Sequence, residues 1–126
     1  MLSIIKSMSL HGLNGSLVNV EVDVSGGLPS WDIVGLPDTS VRESKERIKA
    51  AIKNIGLKLE SRRILINLSP ADTKKEGSIY DLPMAIGILI SNECLKYTNL
   101  DKTILIGELS LDGKVNKVNR SISYCA

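Results

Sequence analysis

Leu17, Val18, Val20, Val22 and Val24 are interleaved with Asn19, Glu21 and Asp23. Apolar residues at a period of two predict a strand with one buried and one wet face. Ser3 to Leu10 reads as a strand before it. Ser25-Gly26-Gly27-Leu28-Pro29 reads as a turn, where glycine accepts positive φ. Trp31-Asp32-Ile33-Val34 alternates again, so a small antiparallel meander of three strands is expected at the start.

The period then changes. Val41, Ile48, Ile52 and Ile55 recur at helical spacing and give one apolar face, and Gly56 stops the helix. Asp38, Thr39 or Ser40 can cap its start, and Ser40 with Glu43 fits a capping box. Arg63 to Leu68 forms a strand with Ile64, Ile66 and Leu68 on one face, closed by Ser69-Pro70. A second helix is expected roughly from Tyr80 to Cys94, burying Leu82, Ala85, Ile86, Leu89 and Ile90. Thr103 to Gly107 reads as a strand. Glu108 to Val118 reads as a hairpin turning at Asp112-Gly113, a strong turn dipeptide. The order β-β-β-α-β-α-β-β implies an α+β, two-layer domain: a mixed sheet with helices on one face. A hairpin so close to the terminus raises the expectation that this is the first domain of a longer protein, with residues 119–126 as a tail of no clear pattern.

The 126 residues are enough for one domain with a real core. Phe is absent and Trp occurs once, so Ile, Leu and Val must fill that core. The two cysteines, Cys94 and Cys125, lack the spacing of a disulfide framework or a zinc site and fit a reducing cytosol. No signal peptide is visible, and no stretch approaches a membrane span. The formal net charge of +2 does not by itself argue for nucleic acid or membrane.

Its distribution is more informative. Arg42 to Arg63 holds eight basic and three acidic residues. Arg42, Lys45, Lys49 and Lys53 fall on one flank of the first helix, and Lys58, Arg62 and Arg63 follow. Such a stretch can meet nucleic-acid phosphates. It can equally be a solvated helix face with a Glu43–Arg47 pair at i,i+4. The stretch contains no aromatic residue on which a base could stack.

The loop Lys74-Lys75-Glu76-Gly77-Ser78-Ile79-Tyr80, running into Asp81-Leu82-Pro83, can hold an anion, a nucleophile or only a tight turn. Lys74, Lys75 and the N–H groups near Gly77 could hold an anion at a helix N-terminus. No Gly-x4-Gly-Lys-Ser/Thr stretch occurs, so the Walker pattern is absent. Capping preferences favour a plain helix start, with Asp81 at the positive dipole end and Pro83 in the first turn. Among the carboxylates Asp72, Glu76, Asp81, Glu108 and Asp112, Glu108 at a strand end could act as a base or ligand, while caps and turns account for the rest. His11, the one histidine, sits in an early turn and makes a poor triad member. Cys94 reads as a core residue at the end of an apolar face.

Three segments in order resemble a known family. They are Gly35-Leu36-Pro37-Asp38-Thr39-Ser40-Val41-Arg42-Glu43-Ser44; Asn67-Leu68-Ser69-Pro70-Ala71-Asp72 with Lys75-Glu76-Gly77 and Asp81-Leu82-Pro83; and Gly107-Glu108-Leu109-Ser110-Leu111-Asp112-Gly113. Together they resemble the N-terminal domain of the ComM/YifB family of magnesium-chelatase-like AAA+ ATPases, over residues 1–118. The resemblance implies a ribosomal-protein-S5 domain-2-like fold, similar to the Lon protease domain. It also implies that ATP and Mg belong to a separate AAA+ module absent from this chain. The implied setting is a cytoplasmic hexamer acting on DNA in branch migration, with no membrane. The domain's partners would be its own AAA+ module, neighbouring subunits and DNA. The DNA-facing residues would be Arg42, Lys45, Lys49, Lys53, Arg62, Arg63, Lys74 and Lys75, with no catalytic, cofactor or metal site. In a Lon-like comparison the nucleophile slot falls at Tyr80 and the lysine slot near Ile122. The nearest basic residue to that second slot is Arg120, which cannot act as a base. The domain is therefore expected to be non-proteolytic. The alternative is a serine hydrolase using Ser78 with Lys74 or Lys75.

Overall fold

The computed structural model describes residues 1–9, 15–59, 62–96 and 100–116. The expectations on Leu10, His11, Val118, Arg120, Ile122, Cys125 and the tail 119–126 lie outside these residues. The elements are β1 (Leu2–Ser9), β2 (Ser16–Ser25), β3 (Ser30–Val34), α1 (Thr39–Arg42), α2 (Ser44–Asn54), β4 (Arg63–Ser69), α3 (Asp81–Ser91), β5 (Glu108–Leu109) and β6 (Val115–Asn116).

The main sheet has the order β1-β2-β4-β3. Strands β1 and β2 form the expected antiparallel pair. The meander is corrected at β3, which pairs parallel with β4 rather than returning against β2. Strand β4 inserts between them, antiparallel to β2. Parallel neighbours need a long crossover, and the segment containing α1 and α2 supplies it. The sheet is mixed and the fold is α+β in two layers, as the element order predicts.

Register explains the core. Ser3, Val22, Ile66 and Ile33 form one cross-strand row; Ile5, Val20 and Leu68 form the next; Val24, Ile64 and Trp31 form a third. These rows face α2 and α3 and join Val41, Ile48, Ile52, Met84 and Ile88 in one cluster. Trp31 ends its row at the free edge of the sheet, half-buried. The opposite face alternates into Asn19, Glu21 and Asp23 but also exposes Leu2, Ile4, Leu17 and Leu65.

Several local expectations change. The first helix breaks at Glu43 into α1 and α2, and its cap is Asp38, whose Oδ1 accepts from the Val41 N–H at 2.7 Å. The Ser40–Glu43 capping box does not form. Ile55 is exposed rather than part of the apolar face, and Gly56 adopts φ +89° just beyond α2. In α3 the fully buried residues include Met84 and Ile88, while Leu82 and Ile86 are half-buried. Cys94 lies beyond α3 and is exposed. Thr103 to Gly107 is not a strand: it makes one backbone bond to β1, from Leu105 N–H to the Lys6 carbonyl at 2.9 Å. The hairpin is short, β5 against β6, and turns through Gly113 at φ +95°.

One buried carboxylate ties these parts together. Asp81 is fully buried at the first turn of α3. It accepts from Ser44 Oγ at 2.5 Å, from Arg47 Nε at 2.6 Å and Nη2 at 3.0 Å, and from the Leu109 N–H at 3.1 Å. It thus bridges α2, α3 and β5: Asp81 lies at the positive end of α3 as expected, and it serves as a clamp between elements as well. The bond with Asp81 raises the Arg47 pKa further above its ordinary value, against the opposing effect of burial. Removing one partner of such a pair leaves the other buried and unpaired. Asp81→Ala should therefore lower stability by about 3–5 kcal/mol, read as a shift in the urea midpoint. Arg47→Met with Asp81→Leu should lose much less, because neither charge is stranded. An Asp81→Ala protein within about 1 kcal/mol of wild type would contradict the clamp.

Candidate nucleic-acid interface

The three motif segments converge around this clamp. Gly35 adopts φ +100° where the chain leaves β3, and a Cβ there would stand 2.3 Å from the Leu68 carbonyl oxygen. Only glycine allows that approach. Leu36 and Asp38 exchange backbone bonds with Lys75: Lys75 N–H to the Leu36 carbonyl and Asp38 N–H to the Lys75 carbonyl, both 3.0 Å. Asp38 Oδ2 also accepts from the Gly77 N–H at 3.2 Å. Pro37 lies in an isolated bridge to Lys75. Gly107 is held between Ile79 and Leu82 by two backbone bonds. Pro83 is buried in the first turn of α3, where its missing N–H costs nothing. Glu108 and Leu109 form β5, and Asp112 Oδ1 accepts from the Lys114 N–H in the hairpin turn. These motif residues hold architecture.

The loop before α3 is not an open cradle. Lys75 is fully buried and its ammonium donates to the Pro70 carbonyl. Burial lowers its pKa, partly offset by Asp72. It is therefore not on the surface, contrary to the sequence expectation, nor free to reach a phosphate as a Walker lysine would. Lys74 is exposed and stands 3.6 Å from Glu76. Tyr80 is buried, with Ser9 hydrogen-bonded to its hydroxyl, and burial pushes its pKa up to about 12.

The basic residues divide by geometry. Lys45, Lys49, Lys53 and Arg62 line one cleft of about 580 Å³ between α2, β3 and the start of β4, and Lys58 joins them. Arg42 lines an adjoining depression of about 380 Å³. Arg63 is exposed and alternates with Ile64, so it faces the opposite side of the sheet. Lys74 and Lys75 lie outside both depressions.

Sequence reasoning missed the residue at the centre. Trp31 lines both depressions, as does Lys45. The Lys49 ammonium sits 5.3 Å from the Trp31 ring centroid, within cation–π range. Trp31 lies outside the basic stretch in sequence, and the parallel pairing of β3 with β4 brings it under α2. Ile52 and Ile64 add an apolar floor. Among the described residues, five cations and no carboxylate line the larger cleft.

The subunit ChlI model of Mg-chelatase matches residues 20–126. The chain belongs to this family. It is similar to YifB of Escherichia coli (strain K12), a protein named as uncharacterized, at 44% identity over 97% of this chain and 24% of the relative. It is also similar to competence protein ComM of Haemophilus influenzae, at 39% identity over 94% of this chain and 23% of the relative. An uncharacterized Mycobacterium tuberculosis (strain H37Rv) protein is 41% identical over 89% of this chain and 22% of its own length. The chain spans about a quarter of the length of these relatives. Among the described residues, no helix is long and apolar enough to cross a membrane.

The buried phenol gives a pH signature. Tyr80 would ionise near pH 10 when unfolded and near 12 when folded. The unfolded chain thus releases its proton first, and stability present below pH 10 is lost as pH rises toward 12. The loss from this group amounts to about 2–3 kcal/mol at most. Tyr80→Phe should remove it, leaving a flatter alkaline limb in urea unfolding than wild type, although Lys75 works in the opposite direction in both proteins. Identical alkaline limbs would contradict the assignment.

Proposed function

We propose that this chain is a non-catalytic domain of a larger magnesium-chelatase-like ATPase that contacts DNA through the basic cleft of α2. The supporting observation is the convergence of Lys45, Lys49, Lys53, Lys58 and Arg62 on one concave surface, with no carboxylate among its described lining residues. Such a surface attracts a phosphate backbone and releases its counterions. The naming of one relative as a competence protein fits a DNA-handling role. Within a ring of subunits in the cytoplasm, the cleft would guide DNA toward the ATPase module in branch migration. ATP and Mg would act there and not in this chain.

The serine-hydrolase alternative has less support. It needs Ser78 beside a free lysine, whereas the Lys75 ammonium is engaged by Pro70 and Lys74 lies beside Glu76. The buried, neutral Tyr80 at the nucleophile slot adds to the case for a non-catalytic role.

A Lys49→Glu, Lys53→Glu, Arg62→Glu variant should bind single-stranded DNA at least tenfold more weakly than wild type. Its plot of log affinity against log salt should be shallower by about 2. Equal binding and equal slopes, measured by fluorescence anisotropy on folded protein, would overturn the reading.

A further inference from the structure

We infer that the cleft takes a single-stranded nucleic acid and that one unpaired base stacks on Trp31. This rests on the proposed DNA contact and names the form of nucleic acid that the site fits. Three observations carry it. Trp31 is half-buried at the free edge of the sheet and lines both depressions. Cations line both depressions: Arg42 and Lys45, beside Asp32, in the smaller, and Lys45, Lys49, Lys53 and Arg62 in the larger. The larger cleft, about 580 Å³, is in the range that encloses a small-molecule-sized group. It has room for a nucleotide.

The chemistry follows from this arrangement. Successive lysines of α2 at positions 45, 49 and 53 rise by about 6 Å each, which sets a line of cations for a strand's phosphates. An aromatic platform beside a basic track is the usual means of holding single strands without reading their sequence. In the free chain the Lys49 ammonium rests over the ring. On binding, a base replaces it there and the ammonium turns to a neighbouring phosphate. The half-buried Leu57 and Leu59 offer apolar surface to the base edge. A base inside a duplex is already stacked on both faces and cannot make this exchange without being extruded.

Trp31 is the single tryptophan, so its emission reports on the site directly. The test titrates the 126-residue chain with a thymidine oligonucleotide, a blunt duplex of the same length and thymidine monophosphate, at one fixed salt concentration. The single strand should quench Trp31 and bind at least tenfold more tightly than the duplex, with the mononucleotide far weaker. Trp31→Leu, checked for folding by circular dichroism, should lose that preference, its single-strand affinity falling to within about threefold of its duplex affinity. Trp31→Phe should keep most of the preference. Equal affinity for strand and duplex with unchanged emission would overturn the inference and leave the basic-cleft reading intact. Binding of neither would remove both. A mononucleotide that binds and quenches as well as the oligonucleotide would replace the strand site with a nucleotide pocket.

Discussion

The Asp81 carboxylate, with no exposure to solvent and four hydrogen bonds from three partners, fixes how the helical layer sits on the sheet. Hydrophobic burial alone would allow α2 to slide or rotate over the valine rows. An ion pair that must be satisfied in the interior does not allow this, because every alternative position strands a charge. Ser44 and Arg47 lie on α2, and Lys45, Lys49 and Lys53 follow the same helix. The clamp that orients one face of α2 toward Asp81 thereby orients its basic flank toward Trp31.

The family's sequence motifs make sense in this light. Gly35 lets the chain pass within a Cβ's distance of the Leu68 carbonyl. Asp38 caps α1 and holds the Gly77 N–H with its two carboxylate oxygens. Gly107 links the start of α3 to the approach to β5. None of these residues forms the cleft. They set the frame from which α2 and β3 present it, so the motifs identify the family while the cleft is written in less distinctive lysines.

Much of this was legible in the sequence, for physical reasons that also mark where reading stopped. Period-two alternation in Val18–Val24 and Ile64–Leu68 and helical spacing from Val41 to Ile52 report burial on one face, and those elements appear. Pairing order depends on which strands meet across a long crossover, and local pattern carries no record of it. The meander therefore failed at β3, and with it the chance to see that Trp31 lies beneath the lysines. Lys75 reads as a surface lysine from its neighbours, yet it is buried with its charge on the Pro70 carbonyl. Ser40–Glu43 fits a capping pattern, but Asp38 reaches the free N–H first and satisfies Gly77 as well. The family resemblance marked Asp81-Leu82-Pro83 and Gly107-Glu108 as motifs, and the structure shows that they meet.

The central claim is that α2 and Trp31 together form the nucleic-acid surface. Its most direct test is a two-dimensional 1H–15N NMR titration of the chain with a short single-stranded oligonucleotide. The account predicts shifts at the Trp31 indole N–H and at the backbone amides of Lys45, Lys49 and Lys53, with the outer sheet face unmoved. Shifts confined to the 72–78 loop or to the outer face around Arg63 and Leu65 would contradict it.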